Sequence, residues 1–277
     1  MKSTRHQVPA SESGVDLLSF VASRLNLSRR QAKEILDQRN VLVNGSRIWM
    51  ARHPLRVGDE VEVLRSEVLR PATDPVSVLW RDPFLLVVDK PAGILSDGQR
   101  SMEERLRQAL NIPSLLAVHR LDRDTSGCLI YAVNDEAKQR MIPLFRNRQI
   151  VKTYHAIVSG RVSGKPDVIR TPVEGQEAVT HLRVLDASAA ASHLTLKIDT
   201  GRTHQIREHM LHIGHPVVGD RSYSVSKRIP EALRGVPRQM LHASGLGFRH
   251  PLTGQTIHAE APLPQDFREC LQMLRLR

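Results

Sequence analysis

The chain has 277 residues and a formal net charge of +11 at pH 7, and 40% of its residues are hydrophobic, which is typical of a globular protein with phosphate-bearing partners. Aromatic residues make up only 4% of the chain, which argues against a module that stacks nucleic-acid bases on aromatic rings. No apolar run approaches the ~20 residues that span a bilayer. Residues 1–14 have no apolar stretch of the kind found in a signal peptide, and the two cysteines are too few for a disulfide framework. A cytoplasmic protein without a membrane partner is therefore expected.

The N-terminal region begins with a polar stretch, residues 1–14, that is predicted to be a flexible tail. From Asp16 the pattern becomes helical, because apolar residues recur at positions i, i+3, i+4 and i+8. This stripe consists of Leu17, Phe20, Val21 and Leu25. A helix is therefore predicted to open the folded part of the chain.

A second helix is predicted to begin at Ser28, because its hydroxyl and the Gln31 side chain have the spacing of a capping box. Arg29, Arg30 and Lys33 cluster on the outward side of its first turns. Cations at a helix N-terminus oppose the macrodipole, so an external anion such as RNA phosphate is expected to compensate them. The alternative interpretation is an ordinary solvated basic face.

Short β elements follow these helices. Asn44 and Gly45 lie between strand-like residues 41–43 and 47–49, and this dipeptide favours the type I′ turn of a hairpin. An alternating strand follows over residues 57–63. Together the elements form a small α+β unit over residues 15–65, and residues 66–75 have the composition of a linker.

Residues 16–64 resemble the small RNA-binding domain first seen in a small-subunit ribosomal protein and in tyrosyl-tRNA synthetases. In that family the basic second helix and the loop after it face structured RNA. The resemblance therefore implies that Arg29, Arg30 and Lys33 bind RNA.

The remainder of the chain, residues 76–277, has both helical and strand-like patterns and is predicted to be an α+β domain. Its clearest helices are one capped by Asn134 and one over residues 203–213 that ends at Gly214. The predicted strands are residues 76–79, 84–88, 128–133, 154–158 and 193–199.

The segment HRLDRDTSG at 119–127 is the most unusual in the chain. Two carboxylates and three basic side chains precede a Thr-Ser-Gly turn, and an apolar strand follows directly. A polar loop fixed to a core strand is a common place for functional groups. The alternative interpretation is a charged surface turn.

The helix after Thr200-Gly201 strengthens the functional interpretation. Its apolar stripe contains Ile206 and Met210, and Arg207 borders or enters that stripe. A buried guanidinium requires a carboxylate partner. Asp122 or Asp124 would supply one, and the guanidinium would keep that carboxylate ionised at neutral pH.

The polar segment also resembles the central motif of the RluA-type pseudouridine synthases. The likeness continues through VVDKPAG at 87–93, KTYHAIVSG at 152–160, TGRTHQIREHMLHIGHPVVGDRSY at 200–223 and LHASGLGFRHPLTG at 241–254. These segments cover nearly all of residues 76–264 in the family's order. The resemblance implies a pseudouridine synthase catalytic domain over 76–277, with a mixed, largely antiparallel sheet, flanking helices and a central cleft.

The resemblance also implies roles for individual residues. Asp122 matches the catalytic Asp, Tyr154 would pack on the uracil and act as a base in the final proton transfer, and Arg207 would pair with Asp122. Arg120 would occupy the space of a flipped base, and Leu241 would be an apolar wall of the pocket. His119 and Arg202 are further candidates for contact with the substrate.

The implied reaction converts uridine in RNA to pseudouridine, with the target base flipped out of its stack. Three roles stay open for Asp122, which are attack on ribose C1′, attack on uracil C6 and removal of the C2′ proton. None of them requires a metal or an organic cofactor. Family habit gives ribosomal RNA as the first expected target and tRNA as the second, and a monomer is the default expectation.

One segment departs from the family pattern. After Lys-Pro-x-Gly the family continues with a His-Pro segment and a longer loop, whereas this chain has Ile94 to Gln99 and a short stretch up to His119. The departure leaves Asp122, Tyr154 and Arg207 in place. It makes the contribution of residues 94–118 to target choice an open question.

Three rival functions compete with this interpretation. The four histidines between 204 and 215 suggest a zinc site, but their spacing does not place them on one helix face and no cysteine is near. A histidine-based ribonuclease explains neither Asp122 nor Arg207. A non-catalytic RNA-binding or ribosome-assembly factor fits the charge equally well, but it has no need of the Asp, Tyr and Arg set.

Overall fold

The structure is a computed structural model that describes residues 2–25, 27, 29–37, 40–65, 76–163, 167–223, 233 and 235–277. The chain divides into two compact units, Met1–Asp74 and Pro75–Arg277. Each unit buries apolar side chains of its own, so each has a separate hydrophobic core.

The N-terminal unit is a four-stranded antiparallel sheet in the order β1-β4-β2-β3, with two helices. Helix α1 begins after Asp16, whose carboxylate accepts a hydrogen bond from the Ser19 amide at 2.8 Å and so caps the helix. The helices pack on the sheet through a shared apolar core that includes Phe20, Leu36 and Val61. The elements are β1 Lys2–Gln7, α1 Leu17–Arg24, α2 Arg29–Asp37, β2 Val41–Val43, β3 Ser46–Arg47 and β4 Glu60–Arg65.

The prediction of a flexible tail over residues 1–14 is wrong. Lys2–Gln7 forms an edge strand that pairs antiparallel with β4, and Val8 is buried directly after it. The strand is held by backbone hydrogen bonds, which leave no signature in a polar sequence. The predicted hairpin is confirmed, because Asn44 and Gly45 both have the positive φ of a type I′ turn. The Ser28–Gln31 capping box and the linker 66–75 lie outside the described residues.

The larger unit is built on a ten-stranded sheet. Eight strands follow the order β10-β11-β12-β9-β13-β8-β6-β5, while β14 pairs with β13 and β7 with β8. Neighbours are antiparallel except β13 and β8, which are parallel. The strands are β5 Val78–Arg81, β6 Leu85–Lys90, β7 Leu116–Ala117, β8 Ser126–Ala132, β9 Val151–Ser159, β10 Val168–Ile169, β11 Thr180–Ala187, β12 Ala191–Ile198, β13 Leu241–Arg249 and β14 Thr256–Glu260.

Within the described part of this unit, four α-helices flank the sheet, and both helices predicted in this unit are present. The amide of Ala137 donates to the Asn134 side chain, which caps the first of them as expected. The predicted α+β class with a largely antiparallel sheet is confirmed. The helices are α3 Met102–Leu110, α4 Asp135–Arg146, α5 Gln205–His212 and α6 Gln265–Met273. None of the helices in the described parts of the chain is both long and apolar enough to cross a membrane.

Strand β8 fixes the position of the polar segment 119–127. All seven of its residues are buried between two apolar clusters, one on each face of the sheet. At Gly127 the strand passes so close to β13 that a Cβ atom would lie 2.2 Å from the carbonyl oxygen of Ala243. The residues just before β8 are thereby held at the middle of the sheet, where the site lies.

Candidate active site

A cleft of about 920 Å³ opens in the larger unit above the loop that precedes β8. A smaller recess of about 80 Å³ adjoins it and is lined by residues from the loop, β9, α5 and β13. Asp122, Tyr154, Arg207 and Leu241 all line this recess. The structure thus brings together side chains that are far apart in the sequence.

Asp122 has two carboxylate oxygens in different surroundings. Its Oδ2 accepts hydrogen bonds from Arg207 Nη1 at 3.0 Å and from Gln239 Nε2 at 3.3 Å. Its Oδ1 has His204 Nε2 at 3.9 Å, beyond hydrogen-bond distance. One oxygen is therefore anchored by two donors, while the other is available to a group that enters the recess.

Arg207 is buried at the inner face of α5 and binds a second carboxylate, Asp220. Its Nε and Nη2 donate to the two Asp220 oxygens at 2.6 and 2.9 Å. Burial alone would lower the pKa of Arg207, but Asp220 and Asp122 together raise it. Burial would conversely raise the pKa of Asp220, and the guanidinium holds it below its ordinary value. The guanidinium is thus a fixed, fully charged donor to Asp122.

Tyr154 lies on β9 with 7% of its surface exposed. Burial, with a further contribution from the charge of Asp122, raises the pKa of its phenol well above the ordinary value. The phenol therefore keeps its proton at neutral pH. Leu241 begins β13 opposite Ala156 and supplies an apolar surface of the same recess.

Two buried polar side chains support the loop that carries Asp122. Lys90 at the end of β6 is fully buried, and its ammonium donates to the carbonyl oxygens of Pro91, Ile94 and Arg123 at 2.9 to 3.0 Å. Burial nevertheless lowers the pKa of Lys90 to about 7. The Ser96 hydroxyl donates to the carbonyl oxygen of Leu121 and accepts from its amide, both at 2.9 Å.

Arg238 supports the same loop from the opposite side. Its Nη1 donates to the carbonyl oxygen of Asp124 at 3.1 Å. Its Nε and Nη2 bind both oxygens of Asp266 on α6, at 2.6 and 2.8 Å. This bidentate pair ties the Asp122 loop to the last helix.

The geometry can be compared with known proteins. A family model described as RNA pseudouridylate synthase matches residues 84–212, and an S4 domain model matches residues 17–61. Ribosomal large subunit pseudouridine synthase D of Haemophilus ducreyi is 30% identical over 312 aligned residues, which cover 98% of this chain and 96% of that protein. The chain belongs to the RluA-type pseudouridine synthases.

Other relatives of this pseudouridine synthase agree. The protein of the same name from Escherichia coli O157:H7 is 33% identical over 283 residues, 90% of this chain and 86% of that protein. The solved structure of Human RNA Pseudouridylate Synthase Domain Containing 4 has a TM-score of 0.60 at 25% identity and covers 73% of this chain and 94% of that one. The prediction of an RNA-modifying isomerase is confirmed over the non-catalytic RNA-binding factor.

The other candidate site residues of the synthase domain lie around the same cleft. Arg120 is exposed at its edge and pairs only loosely with Asp97, at 3.3 Å. Arg202 lines the cleft while its Nε donates to the carbonyl oxygen of Glu177. His119 also borders the cleft, but its Nε2 accepts from the Ile130 amide at 3.1 Å, so this nitrogen is engaged by β8. Burial lowers the pKa of His119 to about 3 and keeps the ring neutral.

The candidate RNA-binding residues of the S4 domain lie on α2. Arg29 is exposed and donates to the Ser19 hydroxyl at 3.0 Å. Lys33 is exposed and pairs with Asp37 one turn later. The Arg30 side chain lies outside the described residues. Both described cations therefore present their charge on the surface of the domain.

The histidines that suggested a zinc site are dispersed. His209 binds the Thr180 hydroxyl and the Thr171 carbonyl oxygen, His215 binds the Ser159 carbonyl oxygen, and His212 is exposed. Within the described ranges, no group of three or more His, Cys, Asp or Glu side chains is arranged to hold a metal ion.

Sequence reasoning missed several residues that organise the site. Asp220 could have been inferred from the sequence, because the guanidinium of the buried Arg207 can be expected to need more than one acceptor. Lys90 could also have been found, because it ends a strand that is apolar except for Asp89. Gln239 and Arg238 could not have been found in this way, because the loop residues that they contact, Asp122 and Asp124, lie more than 100 residues away in the sequence.

Proposed function

We propose that Asp122 is the essential catalytic residue of this synthase, with Arg207 as its fixed counter-ion. The supporting observation is that Oδ2 accepts hydrogen bonds from Arg207 and Gln239, whereas Oδ1 accepts none from the described residues and Asp122 lines the recess. A carboxylate oriented in this way is preorganised to act as a nucleophile or a base. Oδ1 is then the reacting oxygen in each of the three possible roles of Asp122.

The remaining site residues have complementary proposed roles. Tyr154 and Leu241 receive the flipped uracil, since both line the recess beside Asp122. Arg120 takes the place of the base in the RNA stack, because it is exposed at the cleft edge with only a weak partner. His119 and Arg202 border the path of the RNA strand. Arg29, Arg30 and Lys33 contact RNA phosphates through the S4 domain.

The proposed substrate is ribosomal RNA, with tRNA as the second candidate. The first choice is supported by relatives named as ribosomal large subunit pseudouridine synthases and by the S4 domain. A cytoplasmic location and a monomeric state stay predictions. Mapping of pseudouridine in RNA from cells with and without the gene would identify the target uridine.

Asp122→Asn tests the proposed catalytic role. The amide keeps the shape and the Arg207 contact but loses the charge, so we expect pseudouridine formation to fall at least about 100-fold while RNA affinity is retained. The measurement is single-turnover pseudouridine formation alongside equilibrium RNA binding. Asp135→Asn, at an exposed position in the first turn of α4, is the control. Wild-type activity in Asp122→Asn would refute the assignment.

A further inference from the structure

Lys152 is a buried cation in the wall of the cleft. It lies on β9 two residues before Tyr154, so the two side chains are on the same face of the strand. Only 8% of its surface is exposed, yet it lines the cleft. The cleft cations Arg120 and Arg202 are exposed instead. Burial therefore restricts the ammonium of Lys152 to one place, which the other two cations do not share.

The ammonium of Lys152 has more donors than acceptors around it. An ammonium group offers three N–H donors, and among the described residues Nζ donates only to the carbonyl oxygen of Thr200, at 3.2 Å. No carboxylate in the described ranges forms an ion pair with it, and Asp199, whose charge stabilises the ammonium, binds His181. Burial lowers the pKa of Lys152 to about 8, but the group still carries its charge at pH 7. A buried charge is unfavourable without a partner, which points to an anion that arrives with the substrate.

The ammonium lies where the backbone of a bound nucleotide has to pass. A β-carbon at Gly201 would lie 3.6 Å from Nζ, so the glycine leaves this side of the ammonium uncovered. Gly201 lines both the cleft and the recess, which places Nζ close to the boundary between them. The recess, at about 80 Å³, has room for a base but not for a whole nucleotide. When a uracil enters the recess, the phosphates of the same nucleotide therefore stay at this boundary.

We propose that Lys152 binds a phosphodiester oxygen next to the target uridine and thereby holds the flipped nucleotide beside Asp122. This role of Lys152 rests on the proposed function, because it takes the recess as the site of the uracil. The phosphate supplies the acceptor that the ammonium lacks, in a charge-assisted hydrogen bond. Since every RNA sequence carries the same phosphate, the contact positions the nucleotide without selecting its neighbours.

Two substitutions separate this role from a purely structural one, in which Lys152 only holds the Thr200 carbonyl. Lys152→Met fills the space of the buried stem without the charge, and Lys152→Gln also lacks the charge but can still donate to Thr200. Both variants are expected to keep or exceed the wild-type Tm, because an unpaired buried charge is removed. The control is Lys197→Met, which removes an exposed lysine from the neighbouring strand β12.

The substrate is total RNA from a strain without the gene, and the measurement is single-turnover pseudouridine formation over a range of enzyme and KCl concentrations. We expect the enzyme concentration for half-maximal rate to rise at least about 10-fold in both Lys152 variants. The slope of its logarithm against the logarithm of the KCl concentration should fall by about 1. The control should keep the wild-type values.

An unchanged half-maximal concentration and slope in either folded Lys152 variant overturns the proposal. So does a slower reaction with an unchanged slope, or a defect in Lys152→Met that Lys152→Gln does not share, because both results indicate that Lys152 only holds the Thr200 carbonyl. A wild-type enzyme that forms no pseudouridine in this RNA would instead contradict the proposed function, independently of the variants.

Discussion

The single guanidinium of Arg207 serves two carboxylates that differ in exposure. The Asp220 side chain is fully buried and binds Arg207 through two hydrogen bonds, whereas the Asp122 side chain is 25% exposed and accepts one. The bidentate pair fixes the plane of the guanidinium. Asp220 therefore determines the direction in which Nη1 reaches Asp122.

Asp220→Ala is expected to lower the free energy of unfolding by about 3–5 kcal/mol, because it leaves a buried guanidinium with only one partner. It also removes the acceptor of the Ser222 and Tyr223 amides. The measurement is urea-induced unfolding. Asp97→Ala is the matched control, since its ion pair with Arg120 is exposed and contributes at most about 1 kcal/mol. Equal losses in both variants would contradict the special role of Asp220.

Sequence reasoning reached part of this arrangement. The helical position of Arg207 in an apolar stripe required a carboxylate, and the motif at 119–127 offered two. It did not distinguish Asp122 from Asp124 without the family resemblance. In the structure Asp124 pairs with the exposed Arg123 instead. The choice depends on which way the loop turns before β8, and that is set by the remote anchors Lys90 and Arg238.

At the scale of elements, the parallel contact between β8 and β13 holds the recess together. The two strands form one short parallel ladder, in which His242 pairs with Ser126 and Ala243 pairs with Gly127. Gly127 has φ +112°, and its α-carbon approaches the Ala243 backbone so closely that no side chain fits. This close approach places Leu241 beside the loop of Asp122.

Gly127→Ala is predicted to separate these strands and to lower both stability and activity. The added methyl group meets backbone atoms and the φ angle is unfavourable, so a loss of more than about 2 kcal/mol is expected. Gly175→Ala is the control, because Gly175 has φ +73° but open space around it, and about 1 kcal/mol is expected. Thermal unfolding of both variants measures the difference. A smaller loss at Gly127 than at Gly175 would show that the close contact is unimportant.

Elements with strong local signals were predictable, and those stabilised by distant partners were not. Helices α1 and α4 have capping residues and apolar stripes, and the hairpin has Asn44-Gly45. Strand β1 is polar and is held by pairing with β4, from which it is separated by more than fifty residues. Strand register of this kind follows from tertiary contacts, which a single sequence does not encode locally.

For the molecule as a whole, the net charge of +11 acquires a specific meaning once the family is known. An RNA-modifying enzyme needs phosphate contacts for affinity, and each contact adds to the salt dependence of binding. In the S4 domain, Arg29 and Lys33 are exposed on α2, and among the described residues Arg29 donates to the Ser19 hydroxyl and Lys33 pairs with the Asp37 carboxylate. Exchange of these partners for phosphate is therefore inexpensive in free energy.

The double variant Arg29→Ala with Lys33→Ala is expected to weaken RNA binding and to reduce the slope of log K against log salt concentration by about 2, one for each phosphate that the variant no longer neutralises. The catalytic rate on saturating RNA should stay close to that of the wild type, because the Asp122 site is unchanged. The matched control removes two other exposed cations of the same domain, Arg5 and Arg52. If both pairs change the slope equally, the domain attracts RNA through its total charge, and the helix α2 surface has no particular role in binding.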